Sequence, residues 1–162
     1  MVKREITVEK AIVRLETLCA RSERCRWELA VKLKTWGIGQ IEAEKILDDL
    51  EDKRFFSDER YANAYVNDKY RFAGHGRLRI AIALSSKRID RGIINAALDA
   101  IDEELYEGTL NRLMASRAGR YDLLTFEGRT KLYRFGMSRG YESSIVGKIV
   151  KNLAKESRDG AD

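Results

Sequence analysis

The chain has 162 residues, of which 44% are hydrophobic and 35% are charged. This composition can bury a core, so it excludes a disordered chain, and the length fits one domain or a short array of repeats. The net charge of +5 and the pI near 9.2 favour a polyanion or an acidic protein as partner. The two cysteines are too few for a disulfide framework. No apolar segment approaches the roughly 18 residues that span a bilayer, so we expect a soluble cytoplasmic protein that does not bind membranes.

Proline is absent and glycine occurs only 12 times, so few residues break helices. Apolar residues recur at helical spacing, which predicts an all-α fold. The first predicted helix begins at Val8, the second ends at Gly37, and Gly39 begins the third.

Further along the chain, Ser57 is predicted to cap a fourth helix, which residues 74–76 interrupt before a fifth and a sixth. A seventh helix is predicted to end near Gly119, Thr125 to cap an eighth, and residues 142–153 to form a ninth.

Equivalent landmarks recur at steps of 51 and 52 residues, which is typical of a tandem repeat. Arg26, Arg77 and Arg129 each precede an apolar stripe and are interpreted as opening the middle helix of a unit. The apolar residues after those helices follow the same steps: Ile38, Ile89 and Tyr141.

The repeat predicts an elongated, curved array of three three-helix units. Their predicted bounds are residues 1–54, 55–102 and 103–155, followed by a frayed tail over 156–162.

Basic charge concentrates around the predicted middle helices, with a net +6 over residues 69–91 and +5 over 112–139. Residues 40–59 instead carry a net −5. A basic band of this kind binds polyanions. The candidate partner-binding or DNA-binding residues are Arg26, Lys69, Arg71, Arg77, Arg79, Lys87, Arg88, Arg91, Arg129, Lys131 and Arg134.

Each of these cations also has a structural interpretation. Arg26, Arg77 and Arg129 are each able to bind a phosphate or carboxylate of a partner, or to form an inter-helix ion pair with the acidic third helices. The ion pair is slightly favoured for Arg26, and the two interpretations are equally favoured for Arg77. Arg79, Lys87, Arg88 and Arg91 are the best candidates for a partner-facing surface, because no apolar stripe needs them and only Asp90 lies nearby in the sequence to neutralise them.

No catalytic constellation is evident, and we expect no enzyme activity, metal or cofactor. His75 is the only histidine, Cys19 and Cys25 are interpreted as buried or idle thiols, and Asp58 and Glu59 as first-turn partners of a helix dipole. Most aromatic residues are interpreted as core. The two that remain candidates for stacking on bases, because they alternate with cations, are Tyr70 and Phe72.

The run Phe55 to Ala62 (FFSDERYA), followed by Tyr65, Gly74 and Arg77, resembles the central motif of the RecX family, whose members regulate the RecA recombinase. The resemblance extends over roughly residues 8–153, although His75 stands where the family usually has proline.

This resemblance implies a non-enzymatic regulator that binds the RecA–DNA filament and inhibits its ATPase and strand exchange in recombination and repair. We expect a monomer that also binds single- and double-stranded DNA weakly and without sequence preference. Two alternatives stay open. One is a helix-turn-helix protein that reads duplex DNA, with Gln40 and Asn95 as base-reading candidates, and the other is a helical-repeat adaptor for acidic proteins.

Overall fold

The computed structural model describes residues 6–161, and within that range the chain forms nine α-helices and no strand. This confirms the all-α prediction. The helices are α1 (Val8–Arg21), α2 (Arg26–Thr35), α3 (Gln40–Asp52), α4 (Asp58–Asp68), α5 (Arg77–Ser86), α6 (Arg91–Asp99), α7 (Glu103–Ala118), α8 (Phe126–Ser138) and α9 (Ser143–Asp159). None of these helices is long and apolar enough to cross a bilayer.

Side-chain caps begin two of the helices as the sequence predicts. The Arg60 N–H donates to Ser57 Oγ at 3.2 Å, and the Gly128 N–H donates to Thr125 Oγ1 at 3.0 Å. A π-helical turn over Lys69–Ala73 continues α4, which the sequence pattern did not indicate.

The C-terminal helix α9 is longer than predicted. It continues to Asp159, through part of the segment that was expected to be a frayed tail over 156–162. The reason is that the residues after 155 are compatible with a helix until Gly160. Residues 1–5 of the predicted first repeat, and Asp162, lie outside the described residues.

A left-handed residue ends the middle helix of each predicted unit. The φ angles of Gly37, Arg88 and Gly140 are +83°, +57° and +87°. These three positions are separated by the same 51 and 52 residues as the landmarks in the sequence. After the first two, the N–H groups of Ile38 and Ile89 bond back into the helix at 3.0 and 3.4 Å, as in a Schellman motif. The backbone therefore carries the repeat that the sequence spacing indicates.

The start of α8 differs from the expected repeat. Arg26 and Arg77 are the first residues of α2 and α5, but α8 begins at Phe126, so the interpretation of Arg129 as its opening residue is wrong. The start follows the cap: Thr125 Oγ1 accepts the N–H of Gly128, so the helix begins at Phe126, three residues before Arg129.

The helices pack into two compact units. One unit contains the described chain from residue 6 to Tyr65 together with Leu84–Ala97. Apolar faces of α1, α2 and α3 meet in its core, which also receives Phe56 from the turn before α4. The fully enclosed residues of this core include Ala11, Leu15, Leu29, Leu33, Leu47 and Leu50.

The other unit contains Val66–Ala83 together with the described chain from Leu98 to residue 161. The rings of Tyr106 and Tyr141 pack against each other in its core, tilted by 36° with centroids 4.7 Å apart and no exposed surface. The backbone of Gly76 lies directly on the turn after α8, where its N–H donates to the Arg139 carbonyl at 2.8 Å. A Cβ at Gly76 would lie 2.3 Å from the Gly140 carbonyl carbon, so this approach requires glycine.

These compact units divide the second predicted repeat, because α4, α5 and α6 each contribute residues to both. The bounds of 1–54, 55–102 and 103–155 therefore remain a prediction about the repeated sequence unit, and the compact units have different limits.

Candidate partner-binding surface

Arg26 lies against the acidic face of α3. Its guanidinium contacts Glu44 at 2.7 Å, Asp48 at 2.8 Å and Glu51 at 2.8 Å. Burial opposes the charged form, but these hydrogen bonds together raise the pKa of Arg26. The inter-helix ion pair that the sequence offered as the structural interpretation is thus present. The Asp58 carboxylate has a further role that the sequence did not indicate, since it accepts the Arg26 N–H at 2.8 Å and caps α2.

Arg77 is held in a half-buried network. Its guanidinium contacts Glu103 and Glu142, the latter at 3.2 Å, and lies 4.3 Å from the centroid of the Tyr106 ring. The Tyr106 hydroxyl accepts the Arg77 N–H at 2.9 Å and donates to Glu142 at 2.7 Å, and burial raises the pKa of that hydroxyl. Two carboxylates neutralise Arg77, so this cation holds α5 against α7 and the start of α9.

Lys87 differs from the expectation that only Asp90 would neutralise it. Its Nζ lies 3.5 Å from the Glu28 carboxylate and 5.3 Å from the centroid of the Tyr61 ring. Only 24% of the side chain is exposed. The sequence could not reveal these partners, because Glu28 and Tyr61 come from α2 and α4.

The candidates in the third predicted repeat are divided in the same way. Arg129 donates to the Leu123 carbonyl at 3.0 Å, and Lys131 pairs with Glu127 one turn away at 3.1 Å. Arg134 is exposed and forms no ion pair with the residues that the structure describes.

Of the remaining cations, all but Lys69 are exposed. Arg88 and Arg91 belong to one compact unit, and Arg71 and Arg79 belong to the other. Arg88, Arg91 and Arg79 form no ion pair within residues 6–161, whereas Arg71 donates to the hydroxyl of its neighbour Tyr70 at 3.2 Å. Lys69 is half-buried.

Arg88 has an unusual backbone. It adopts the left-handed conformation that Gly37 and Gly140 adopt at the equivalent places. For a residue with a side chain this conformation costs roughly 1–2 kcal/mol. The turn thus presents an exposed guanidinium at a position where glycine would be the less strained residue.

Apolar side chains also reach the surface near these cations in the sequence. Phe72, Leu78 and Ile82 are 81%, 55% and 71% exposed. Tyr70, the other aromatic candidate for base stacking, is only 3% exposed and belongs to the core. Sequence reasoning missed Leu78 and Ile82. The available signal was that apolar residues occupy every second position of α5 from 78 to 84, so they cannot all share one helix face.

The loop before α5 has a positive electrostatic environment. Burial lowers the pKa of His75, and the charges of Arg79, Arg139 and Lys69 lower it further. Arg139 also holds the loop, because its side chain donates to the carbonyls of Ala73 and Gly74.

The cysteines do not form a reactive pair. Cys25 is fully buried at the start of α2, and burial raises the pKa of its thiol to about 11. Burial also raises the pKa of the half-buried Cys19. Both thiols are therefore protonated at neutral pH and are weak nucleophiles.

Comparison with known proteins identifies the family. The second three-helix domain of RecX matches residues 57–98. Regulatory protein RecX of Mycobacterium sp. (strain KMS) is 32% identical over 141 residues, which cover 84% of this chain and 76% of the relative. Regulatory protein RecX of Acinetobacter baylyi is 29% identical over 141 residues, covering 86% and 85%. The chain covers 57% of the length of regulatory protein RecX of Clostridium botulinum (strain Eklund 17B), to which it is 30% identical over 128 residues.

The fold is that of a solved relative. The crystal structure of RecX from Lactobacillus salivarius superposes with a TM-score of 0.80 at 24% identity, over 90% of this chain and 96% of that one. Three observations point to the same family: the repeated helices, the motif at residues 55–62 and the sequence identity to these relatives. The chain therefore belongs to the RecX family of regulatory proteins, the RecA regulators that its motifs resemble.

Proposed function

We propose that this chain binds the RecA–DNA filament as a monomer in the cytoplasm and inhibits its ATPase and strand exchange without catalysing a reaction. It would act by occupying a groove of the filament and blocking the motions or the DNA partner that the filament needs. No cofactor takes part in this action.

The observation that carries the proposal is Arg88. A strained backbone persists where the surrounding structure supports it, and such residues cluster at functional sites. Arg88 is exposed, left-handed and without an ion pair among the described residues, at a position where two related turns have glycine. A contact between this guanidinium and a phosphate of the filament explains why a side chain is present there.

Further cations would add phosphate contacts. Arg91 and Arg79 are exposed like Arg88, and Arg71 and Lys69 lie in the π-helical turn before the loop. Because phosphate contacts carry no sequence information, binding to free single- or double-stranded DNA should be weak and independent of sequence.

The exposed apolar residues favour a protein partner in addition to DNA. Phe72, Leu78 and Ile82 present side chains that a phosphate backbone cannot desolvate. We assign these residues to contacts with RecA.

The direct test is a RecA ATPase assay on single-stranded DNA, into which this protein is titrated. We expect the ATPase rate to fall as the protein saturates the filament. A flat titration, under conditions where RecA covers the DNA, would contradict the proposal. Sequence-specific binding to duplex DNA without an effect on RecA would instead favour the helix-turn-helix alternative.

A charge reversal separates the proposed contacts from bulk charge. Arg88→Glu with Arg91→Glu changes the net charge from +5 by −4, and so does the matched control Lys10→Glu with Lys45→Glu, whose lysines are also exposed. We expect only the first variant to lose inhibition. Its DNA binding should also depend less on salt. The slope of log affinity against log salt concentration should become less negative by about 0.7–0.9 for each phosphate contact that is lost.

A further inference from the structure

A surface groove lies between α8 and α9. It has a volume of about 620 Å³. The nearly buried side chains of Val150 and Ala154 contribute to its lining. At its edge, Leu124 and Phe126 are 54% and 79% exposed, although apolar side chains of this size are usually covered. The groove therefore offers an apolar surface that the described part of the chain does not fill.

The charged side chains of the groove are all positive. Arg129, Lys151 and Arg158 line it, and no acidic residue of the described chain does. Lys151 and Arg158 are seven residues apart on α9, which places them two turns and roughly 10 Å apart along the same face. Such a pair complements two carboxylates at the same spacing on another helix.

Gly147 supplies an independent observation. It lies inside α9 and lines the groove, yet a Cβ added to it would meet nothing within 4 Å. The glycines of α8 differ, since a Cβ at Gly128 would lie 1.9 Å from the Asp122 carbonyl, and at Gly136 it would lie 2.6 Å from Val146. Internal packing thus explains Gly128 and Gly136 but neither Gly147 nor Gly108 of α7, and of these two only Gly147 lines the groove. A glycine inside a helix costs about 1 kcal/mol relative to alanine and lets another backbone approach closely.

We propose that the groove between α8 and α9 binds an acidic amphipathic helix of a partner protein. The apolar face of that helix would cover the exposed Leu124 and Phe126 beside Val150 and Ala154. Its backbone would pass over Gly147, and its carboxylates would pair with Lys151 and Arg158. This interaction goes beyond filament inhibition and does not depend on whether Arg88 contacts DNA.

The lining favours a peptide over a nucleic acid. A nucleic-acid strand would place its phosphates along the cations and stack its bases on aromatic faces, which the exposed Phe126 and the half-buried Tyr133 provide only at one side of the groove. The α9 side of the lining has aliphatic residues and no aromatic one. Here Arg129 already donates to the Leu123 carbonyl, and the buried aliphatic residues offer no hydrogen bond to a phosphate. An aliphatic side chain of a helix, in contrast, replaces water on this surface at a gain of free energy.

The test uses a fluorescein-labelled peptide of about three heptads, with Leu at two positions and Glu at two positions of each heptad. A scrambled peptide of the same composition and a single-stranded oligothymidylate serve as the competing probes. Binding is followed by fluorescence anisotropy with the full chain. We expect the amphipathic peptide to bind at least about 10-fold more tightly than the scrambled peptide.

Two matched pairs of variants locate the binding. Gly147→Phe fills the groove, and Gly108→Phe is its control, because Gly108 is also a helical glycine with open space around it. Lys151→Glu removes a lining cation, and Lys155→Glu changes an exposed cation of the same helix outside the groove. We expect Gly147→Phe and Lys151→Glu to weaken peptide binding by about 10-fold and 5-fold, with less than about 2-fold for the controls.

Several outcomes would overturn the proposal: equal affinity for the two peptides, no binding of either, or equal effects of a groove variant and its control. Oligothymidylate binding that Gly147→Phe abolishes would instead make the groove a nucleic-acid site. Self-association that Gly147→Phe abolishes, measured by sedimentation, would assign the groove to a second copy of the chain. If Gly147→Phe unfolds the protein, the two lysine variants decide the question.

Discussion

The turns after α5 and α8 have the same backbone conformation but different surroundings. At Gly140, with φ +87°, a Cβ would lie 2.4 Å from the Cβ of Arg79 and 2.7 Å from its backbone N. At Arg88, with φ +57°, the side chain is exposed. One turn is therefore a packing contact, whereas the equivalent turn is exposed. A repeated backbone can keep its geometry while its surroundings change from packed to open.

The largest expected effect on stability comes from replacing Gly140 at the packed turn. Gly140→Ala should lower the free energy of unfolding by about 3 kcal/mol, because it adds left-handed strain and a clash with the backbone of Arg79. Urea denaturation measures the change. Arg88→Ala is the control and should change the stability by less than about 0.5 kcal/mol. Equal losses in both variants would show that the two turns do not differ in packing.

A second contrast concerns the first residues of α2 and α5. Here the cations Arg26 and Arg77 form ion pairs within the fold. Arg77→Met should lower the free energy of unfolding by about 2 kcal/mol, since it leaves the Glu142 carboxylate without its cation and removes the guanidinium from the face of the buried Tyr106 ring. Arg26→Met should lower it by only about 1 kcal/mol, because the carboxylates around Arg26 are more than half exposed. Thermal unfolding of the two variants tests this order, and the reverse order would be inconsistent with the network at Arg77.

Charge reversal next to the open turn gives a smaller contrast. Lys87→Glu places a second carboxylate beside Glu28 and removes a cation from the Tyr61 ring, so it should destabilise the fold by about 1–2 kcal/mol. Arg91→Glu, at an exposed site, should remain within about 0.5 kcal/mol of the wild type. Chemical denaturation compares the two. If Lys87→Glu is as neutral as Arg91→Glu, then Lys87 belongs to the partner-facing surface after all.

The smallest expected effect concerns His75. Burial and the nearby cations hold its pKa below the usual value of 6.5. A polyanion bound near Arg79 and Lys69 would screen those charges, so the pKa should rise toward 6.5 when single-stranded DNA is added. NMR titration of the imidazole reports this without ambiguity, because His75 is the only histidine. An unchanged pKa in the DNA complex would place the bound strand away from the loop.

The sequence predicted the helices and their repeat well, because both depend on local signals. Apolar spacing located the helices, and the caps Ser57 and Thr125 are where the sequence placed them. It could not sort the cations, because the partners of Arg77 and Lys87 are 26 to 65 residues away in the chain. The left-handed conformation of Arg88 was also beyond it, since arginine gives no local signal for positive φ.

The groove between α8 and α9 was likewise out of reach of the sequence. Gly128, Gly136 and Gly147 look alike there as glycines inside predicted helices. Only the packing distances show that the fold requires glycine at Gly128 and Gly136 but not at Gly147.

The most direct test of a partner-facing Arg88 compares Arg88→Gly with Arg54→Gly in the RecA ATPase assay on single-stranded DNA. Arg54 is also exposed and left-handed, with φ +61°, so both variants lose one charge and relieve the same backbone strain. We predict that Arg88→Gly gains about 0.5–1 kcal/mol of stability and yet requires about 5-fold more protein for half inhibition, whereas Arg54→Gly inhibits like the wild type. Wild-type inhibition by Arg88→Gly, or equal losses in both variants, would contradict a role for Arg88 in binding the filament.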